Sequence, residues 1–171
     1  RSRDRCRDES MTKDLVLAID QGTTGTTALL VDAQLSVIAK VNREFRQIFP
    51  KPGWVEHDLE DIWASVEGTV AEVLDASGVD SSRIAALGIT NQRETVGLWD
   101  RATGEAPCNA IVWQCRRTAA RCESLRAGGH LELIRERTGL LLDPYFSGTK
   151  LGWLLDEVPG VGPETRRRLL R

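Results

Sequence analysis

The run DQGTTGTT, from Asp20 to Thr27, sets hydroxyls and backbone amides beside a single acid. Thr23, Thr24 and Thr27, with the amides around Gly22 and Gly25, are donors suited to phosphate oxygens. A carboxylate at the root of the same turn, Asp20, suits a magnesium ion. No Lys follows the glycines, and Gly22 and Gly25 do not make G-x-G-x-x-G, so this is neither a P-loop nor a dinucleotide fingerprint. Gly and Thr also serve turn geometry and β-propensity, and for the hairpin taken alone that plain reading carries more weight.

A second set of candidates lies downstream. Arg93 and Glu94 adjoin in NQRET, directly after the apolar run IAALGIT. Neighbours on a strand point to opposite faces, so both can reach one ligand only at a strand end or in a loop. A polyol needs this pair, because its hydroxyls both donate and accept: Arg supplies a fork of donors and Glu supplies acceptors. Trp113 closes the apolar run AIVW and could cover the carbon face of a small ligand. Tyr145, in DPYFSGTK, offers a hydroxyl at a loop that opens a helix. Each has a plain alternative: an exposed charged loop for the pair, a core aromatic for Trp113, and a buried backbone partner for Tyr145. Asp143 and Lys150 read as a cap and a surface charge.

The elements that must position these residues follow from periodicity. Apolar runs predict strands over 15–20, 28–32 and 37–45, joined as an antiparallel meander. KPGWVEHD is a Pro-Gly loop that leads to Asp58 as a helix N-cap. Leu59, Ile62, Trp63, Val66, Val70, Val73 and Leu74 then recur at helical spacing on one face, up to Ser77-Gly78. A buried-type strand is predicted over 84–90, further strands over 96–100 and 110–113 about a turn at Thr103-Gly104, and helices over 117–126, 131–137 and 147–157. Meander, helix and returning strand give an α/β fold of the ribonuclease-H-like type, a mixed sheet flanked by helices.

The 171 residues carry 23 basic and 25 acidic side chains, a net charge of −2, which offers no field favouring nucleic acid or an anionic membrane. Cys6, Cys108, Cys115 and Cys122 form no C-x-x-C pair, and two histidines make no zinc pattern. Without a signal peptide or a spanning run, the cysteines read as reduced thiols of a cytoplasmic protein. Met11 is the single methionine and the ordered pattern starts just after it, so residues 1–10 read as a disordered, non-native or upstream leader. Pro163 reads as the first turn of a helix still unfinished at Arg171.

In order along the chain, DQGTT, KPGWVEHD, GITNQRET, NAIVWQCRRT and GLLLDPYFSGTK closely resemble the N-terminal domain of the glycerol kinases. These belong to the FGGY carbohydrate-kinase family, within the actin/Hsp70/hexokinase superfamily. The resemblance assigns 11–171 to part of that substrate-binding domain, incomplete at its C-terminus. It implies Arg93, Glu94, Trp113 and Tyr145 as glycerol contacts, Asp20 as the magnesium-side acid, and Thr23, Thr24, Gly25 and Thr27 as the nucleotide-phosphate loop. It also implies ATP and Mg2+ as cofactors, glycerol 3-phosphate as product, no nucleic-acid partner, no membrane insertion, and a cytoplasmic homo-oligomer at full length. The family's catalytic Asp and adenosine domain fall beyond residue 171, so no acid here is assigned as the base and the 171-residue piece alone is expected to be inactive. Many family members carry Arg where this chain has Thr27, one phosphate-facing charge fewer. Alternatives are a kinase for another polyol or sugar, a truncated ligand-binding protein, and, last, an actin- or Hsp70-like role.

Overall fold

Six residue pairs, from Val16 with Val31 to Gln21 with Thr26, form the predicted hairpin, whose second strand begins at Gly25, three residues before the expected start. A computed structural model describes residues 13–162. The leader, Met11, Cys6 and the helix expected from Pro163 lie outside the described residues. Strands β1 (Leu15–Gln21) and β2 (Gly25–Val31) run antiparallel, with Asp20 opposite Thr27 and Gln21 opposite Thr26. Strand β3 (Val37–Glu44) adds antiparallel to β2. Two further strands follow, β4 (Glu56–His57) and, after helix α1 (Leu59–Ser77), β5 (Ile84–Asn91), which pairs parallel with β1. The sheet order is β3-β2-β1-β5, a mixed sheet. The chain divides into two units, one of residues 13–44 with Ala64–Asn91, the other of Phe45–Trp63 with residues 92–162.

In the first unit one sheet face packs on α1. Leu15, Leu17, Ile19, Ala28 and Leu30 meet Val66, Val70, Val73 and Leu74, a helical stripe on a strand alternation. Two polar groups inside that layer satisfy each other, the Thr26 and Ser65 hydroxyls lying 2.7 Å apart. Gly25 sits where β2 crosses β3 closely: a Cβ would fall 2.6 Å from the Arg43 carbonyl oxygen and 3.1 Å from the Glu44 Cα. Paired backbone cannot swing aside as a side chain can. Gly25→Ala is therefore expected to cost about 2 kcal/mol, read as a lowered urea midpoint. An unchanged midpoint would show that β3 yields.

Two expectations fail in this unit. The run 84–90 was expected to be buried, yet β5 is the sheet edge, and Leu87 and Ile89 are 56% and 69% exposed. An unbroken apolar run records a need for cover, not the element that supplies it. Trp63, in the second unit, was placed on the apolar stripe of α1 and is 58% exposed. The stripe is covered from Ser65 onward, two residues later.

The second unit is built around a short ladder of β4 against β6 (Ala110–Ile111) and three helices, α2 (Ala119–Ala127), α3 (Leu131–Thr138) and α4 (Ser147–Glu157). The strand predicted over 96–100 reduces to one bridge, Val96 to Ile111. Asp100 instead accepts the amides of Ala102 and Thr103, a side-chain turn that draws the backbone away from a ladder. The strand expected over 110–113 stops at Ile111, because Val112 donates to Val55 and its carbonyl takes the Cys115 amide in a turn. Val55, Ile111, Val112, Cys115 and Leu154 form the core. Beside it, the Arg117 guanidinium lies 3.9 Å from the Trp54 ring centre and 4.7 Å from that of Trp153, and bonds Glu56 at 2.6 Å. A cation buried this way has its charge matched by a carboxylate and its faces by two indoles.

Candidate functional site

Leu15, Leu17 and Ile19 face the core, so alternation puts Asp20 on the other face of β1. Thr26, Ala28 and Leu30 do the same on β2 and leave Thr27 beside Asp20. The register extends the row: Thr90 on β5 lies across from Asp20, and Asn42 on β3 across from Thr27. Thr90, Asp20, Thr27 and Asn42 thus form a polar row across the first unit's sheet, at the turn end of the hairpin. Asn42 Nδ2 donates to Thr27 Oγ1 at 2.9 Å and to the Thr26 carbonyl at 3.2 Å, which fixes the Thr27 hydroxyl. The Gly22 amide donates to the Gly25 carbonyl at 2.9 Å and closes the turn that carries Thr23 and Thr24.

No group of three or more His, Cys, Asp or Glu side chains that could hold a metal occurs among the described residues. The donors around Asp20 therefore do not fit an all-protein metal cage. They do fit a magnesium ion, which keeps several waters and takes one or two carboxylates together with phosphate oxygens.

In the second unit residues 92–95 turn directly after β5, and Glu94 adopts φ 66°, a left-handed conformation uncommon outside glycine. The turn takes residues 92–95 out of regular strand geometry, where alternation would send Arg93 and Glu94 to opposite faces. Glu94 Oε2 accepts the Ser147 amide at 2.8 Å and the Ser147 hydroxyl at 2.6 Å, at the N-terminus of α4. The Ser147 hydroxyl, with that helix-end amide and the nearby Lys150 and Arg93 charges, holds the carboxyl below its ordinary range. Both of these bonds fall on Oε2, and none is found to Oε1 among the described residues. The Trp113 and Tyr145 rings meet edge to face at 5.7 Å, and Tyr145 meets Phe146 at 5.1 Å. The Trp113 amide donates to Thr95 Oγ1 at 3.3 Å. Glu94, Trp113 and Tyr145 are thus joined through Thr95 and the start of α4, with Arg93 exposed beside them. An ionised acceptor, a free cationic fork and an aromatic wall suit a small polyhydroxy ligand.

The model of the FGGY family of carbohydrate kinases, N-terminal domain, matches residues 15–169. The chain belongs to the FGGY family. Glycerol kinase of Shewanella amazonensis is 58% identical over 151 residues, 88% of this chain and 30% of that protein. Glycerol kinase of Symbiobacterium thermophilum is 54% identical over 161 residues, 94% of this chain and 32% of that protein. The chain thus spans about a third of the curated relatives it matches. Among solved structures it is similar to Plasmodium falciparum glycerol kinase with ADP, at TM-score 0.80 and 32% identity over 88% of this chain and 30% of that one. Gluconate kinase of Lactobacillus acidophilus follows at 0.76 and 25% identity, over 86% and 29%. The mixed sheet with its flanking helix is the actin/hexokinase-like fold of these FGGY kinases.

Sequence reasoning missed two buried polar groups in this FGGY domain. Lys150, read as a surface charge, is fully buried, and its ammonium donates to the carbonyls of Pro144, Tyr145 and Phe146. Burial pushes its pKa down to about 8. A Lys in the first turn of a helix opposes the macrodipole, and that oddity was the available signal. His57 is also fully buried, and burial lowers its pKa from 6.5 to about 4. Between those values the unfolded chain binds a proton that the folded chain refuses. Stability is then expected to fall from pH 6.5 towards 4, by up to about 3 kcal/mol, and to be insensitive to this group above 6.5. Urea midpoints at pH 7, 6 and 5 check this against His57→Gln, which should flatten the slope. Parallel slopes would contradict it.

Proposed function

We propose that this chain is the substrate-side part of an ATP-dependent glycerol kinase, with residues 11–171 belonging to the substrate-binding domain. The observation that carries the reading is the ionised Glu94 carboxylate, anchored by Ser147 through Oε2 beside the Trp113–Tyr145 wall. Glu94 Oε1 accepts from glycerol hydroxyls, Arg93 donates to them, and Trp113 covers the carbon edge. Tyr145 completes the polar contacts. Each interaction orients the acceptor and holds it, the kind of positioning on which phosphoryl transfer depends. Identity of 52–58% to proteins named glycerol kinase supports glycerol over other acceptors of the family.

The phosphate side rests on Asp20, Thr23, Thr24, Gly25 and Thr27. The hydroxyls and turn amides donate to phosphate oxygens. Asp20 would hold a magnesium ion, which when bound neutralises charge on the phosphates. Thr27 brings a hydroxyl fixed by Asn42 and no charge to this surface. The full-length protein is read as a cytoplasmic homo-oligomer that uses ATP and Mg2+. Among the described residues no helix is long and apolar enough to cross a membrane.

Initial rates of the full-length protein with glycerol, a pentulose and gluconate test this reading. Glycerol should have the highest kcat/KM. A higher value for the pentulose or gluconate would transfer the assignment to another acceptor of the family.

A further inference from the structure

His57 belongs to a chain of hydrogen bonds whose direction is fixed at one end. Gln47 Nε2 faces the Phe45 carbonyl at 3.2 Å, and a carbonyl can only accept, so the amide nitrogen is on that side. Gln47 Oε1 therefore faces His57 Nε2 at 2.8 Å and makes it the protonated nitrogen. His57 Nδ1 is then an acceptor, and Gln92 Nε2 donates to it at 3.2 Å. This sets Gln92 Oε1 towards Thr95, whose hydroxyl donates to it at 2.9 Å. The Thr95 oxygen in turn takes the Trp113 amide at 3.3 Å. Gln92 and Thr95 are the two residues that bracket Arg93 and Glu94. The Phe45 ring packs edge-on against the imidazole at 4.9 Å.

We propose that His57, as the Nε2–H tautomer, is a positioning residue for the 92–95 turn: it orients Gln92 and through it the backbone that presents Arg93 and Glu94. This rests on the reading of that pair as the glycerol contacts. A turn that holds Glu94 at positive φ has no regular ladder to fix it, so its shape depends on the side chains at its ends. Loss of His57 removes one of the bonds that orient Gln92 and lets the turn relax. Misplacement of groups that bind acceptor alike in ground and transition states raises KM and spares kcat.

The experiment compares His57→Phe, His57→Asn and Arg93→Ala in the full-length protein, with glycerol KM and kcat as separate readouts. His57→Phe should raise glycerol KM about tenfold, with kcat changed less than about threefold. His57→Asn restores an amide oxygen near the Nδ1 position and should recover most of that loss. Should either variant fail to fold, Gln92→Leu removes the same link from the turn side. An Arg93→Ala variant with raised KM beside His57 variants of unchanged KM overturns the positioning role. An unchanged Arg93→Ala overturns the substrate reading itself. Histidine 15N NMR of the wild-type protein gives an independent arm: protonated Nε2 and bare Nδ1 support the relay, and the opposite tautomer overturns it.

Discussion

Glu94→Ala in the full-length protein is expected to raise glycerol KM about a hundredfold, and Arg93→Ala by a similar factor. In the proposed reading both side chains make charge-assisted hydrogen bonds to glycerol hydroxyls, each worth roughly 1.5–3 kcal/mol when the partner is left unpaired. The loss should fall more on KM than on kcat, since groups that hold the acceptor alike in ground and transition states act on binding. Glu94 has a second task, because its Oε2 bonds the Ser147 amide and hydroxyl at the start of α4. Ser147→Ala separates the two: it removes a bond to Oε2 and leaves Oε1 in place, so it should move stability more than KM. Initial-rate kinetics beside thermal melts check the pair. Unchanged KM in Arg93→Ala or in Glu94→Ala would remove the substrate assignment.

Lys150→Met is expected to be the most damaging substitution for stability. The buried ammonium serves three successive carbonyls around Tyr145, and Met fills the volume while donating nothing. Orphaned buried carbonyls put the cost at about 3 kcal/mol or more, a fall in Tm of roughly 10 °C for a domain of this size. Calorimetry or a circular-dichroism melt reads it. A melt within a degree or two of wild type would mean that the carbonyls find water instead, and that Lys150 does not shape the Tyr145 loop.

Local features of this fold could be read from the chain, and contacts between distant segments could not. The hairpin was legible because alternation, Gly22 and Gly25 all specify the same local geometry, and α1 was legible from its stripe of valines. The end of α3 was also local: Gly139, at φ 70°, closes it in a left-handed cap. At 96–100, however, a strand-like run lost to the Asp100 side-chain turn, a competition in which backbone donors choose a nearby carboxylate over a ladder. In the candidate site, Arg93, Glu94 and Trp113 were picked out by residue type and strand-end position, and Tyr145 by its hydroxyl in a loop that opens a helix. Their supports were not, because His57 joins residues ten positions before it and 35 after it, and no spacing rule encodes such a pairing. The row Thr90–Asp20–Thr27–Asn42 was half visible. Asp20 and Thr27 were singled out on the hairpin, but their pairing needed the register, and Thr90 and Asn42 needed the strand order.

A crystal structure of the full-length protein with glycerol bound tests the central claim most directly. Glycerol hydroxyls should lie within hydrogen-bonding distance of the Arg93 guanidinium and the Glu94 carboxylate, with its carbon edge against Trp113. Glycerol bound away from residues 93, 94, 113 and 145 would contradict the account.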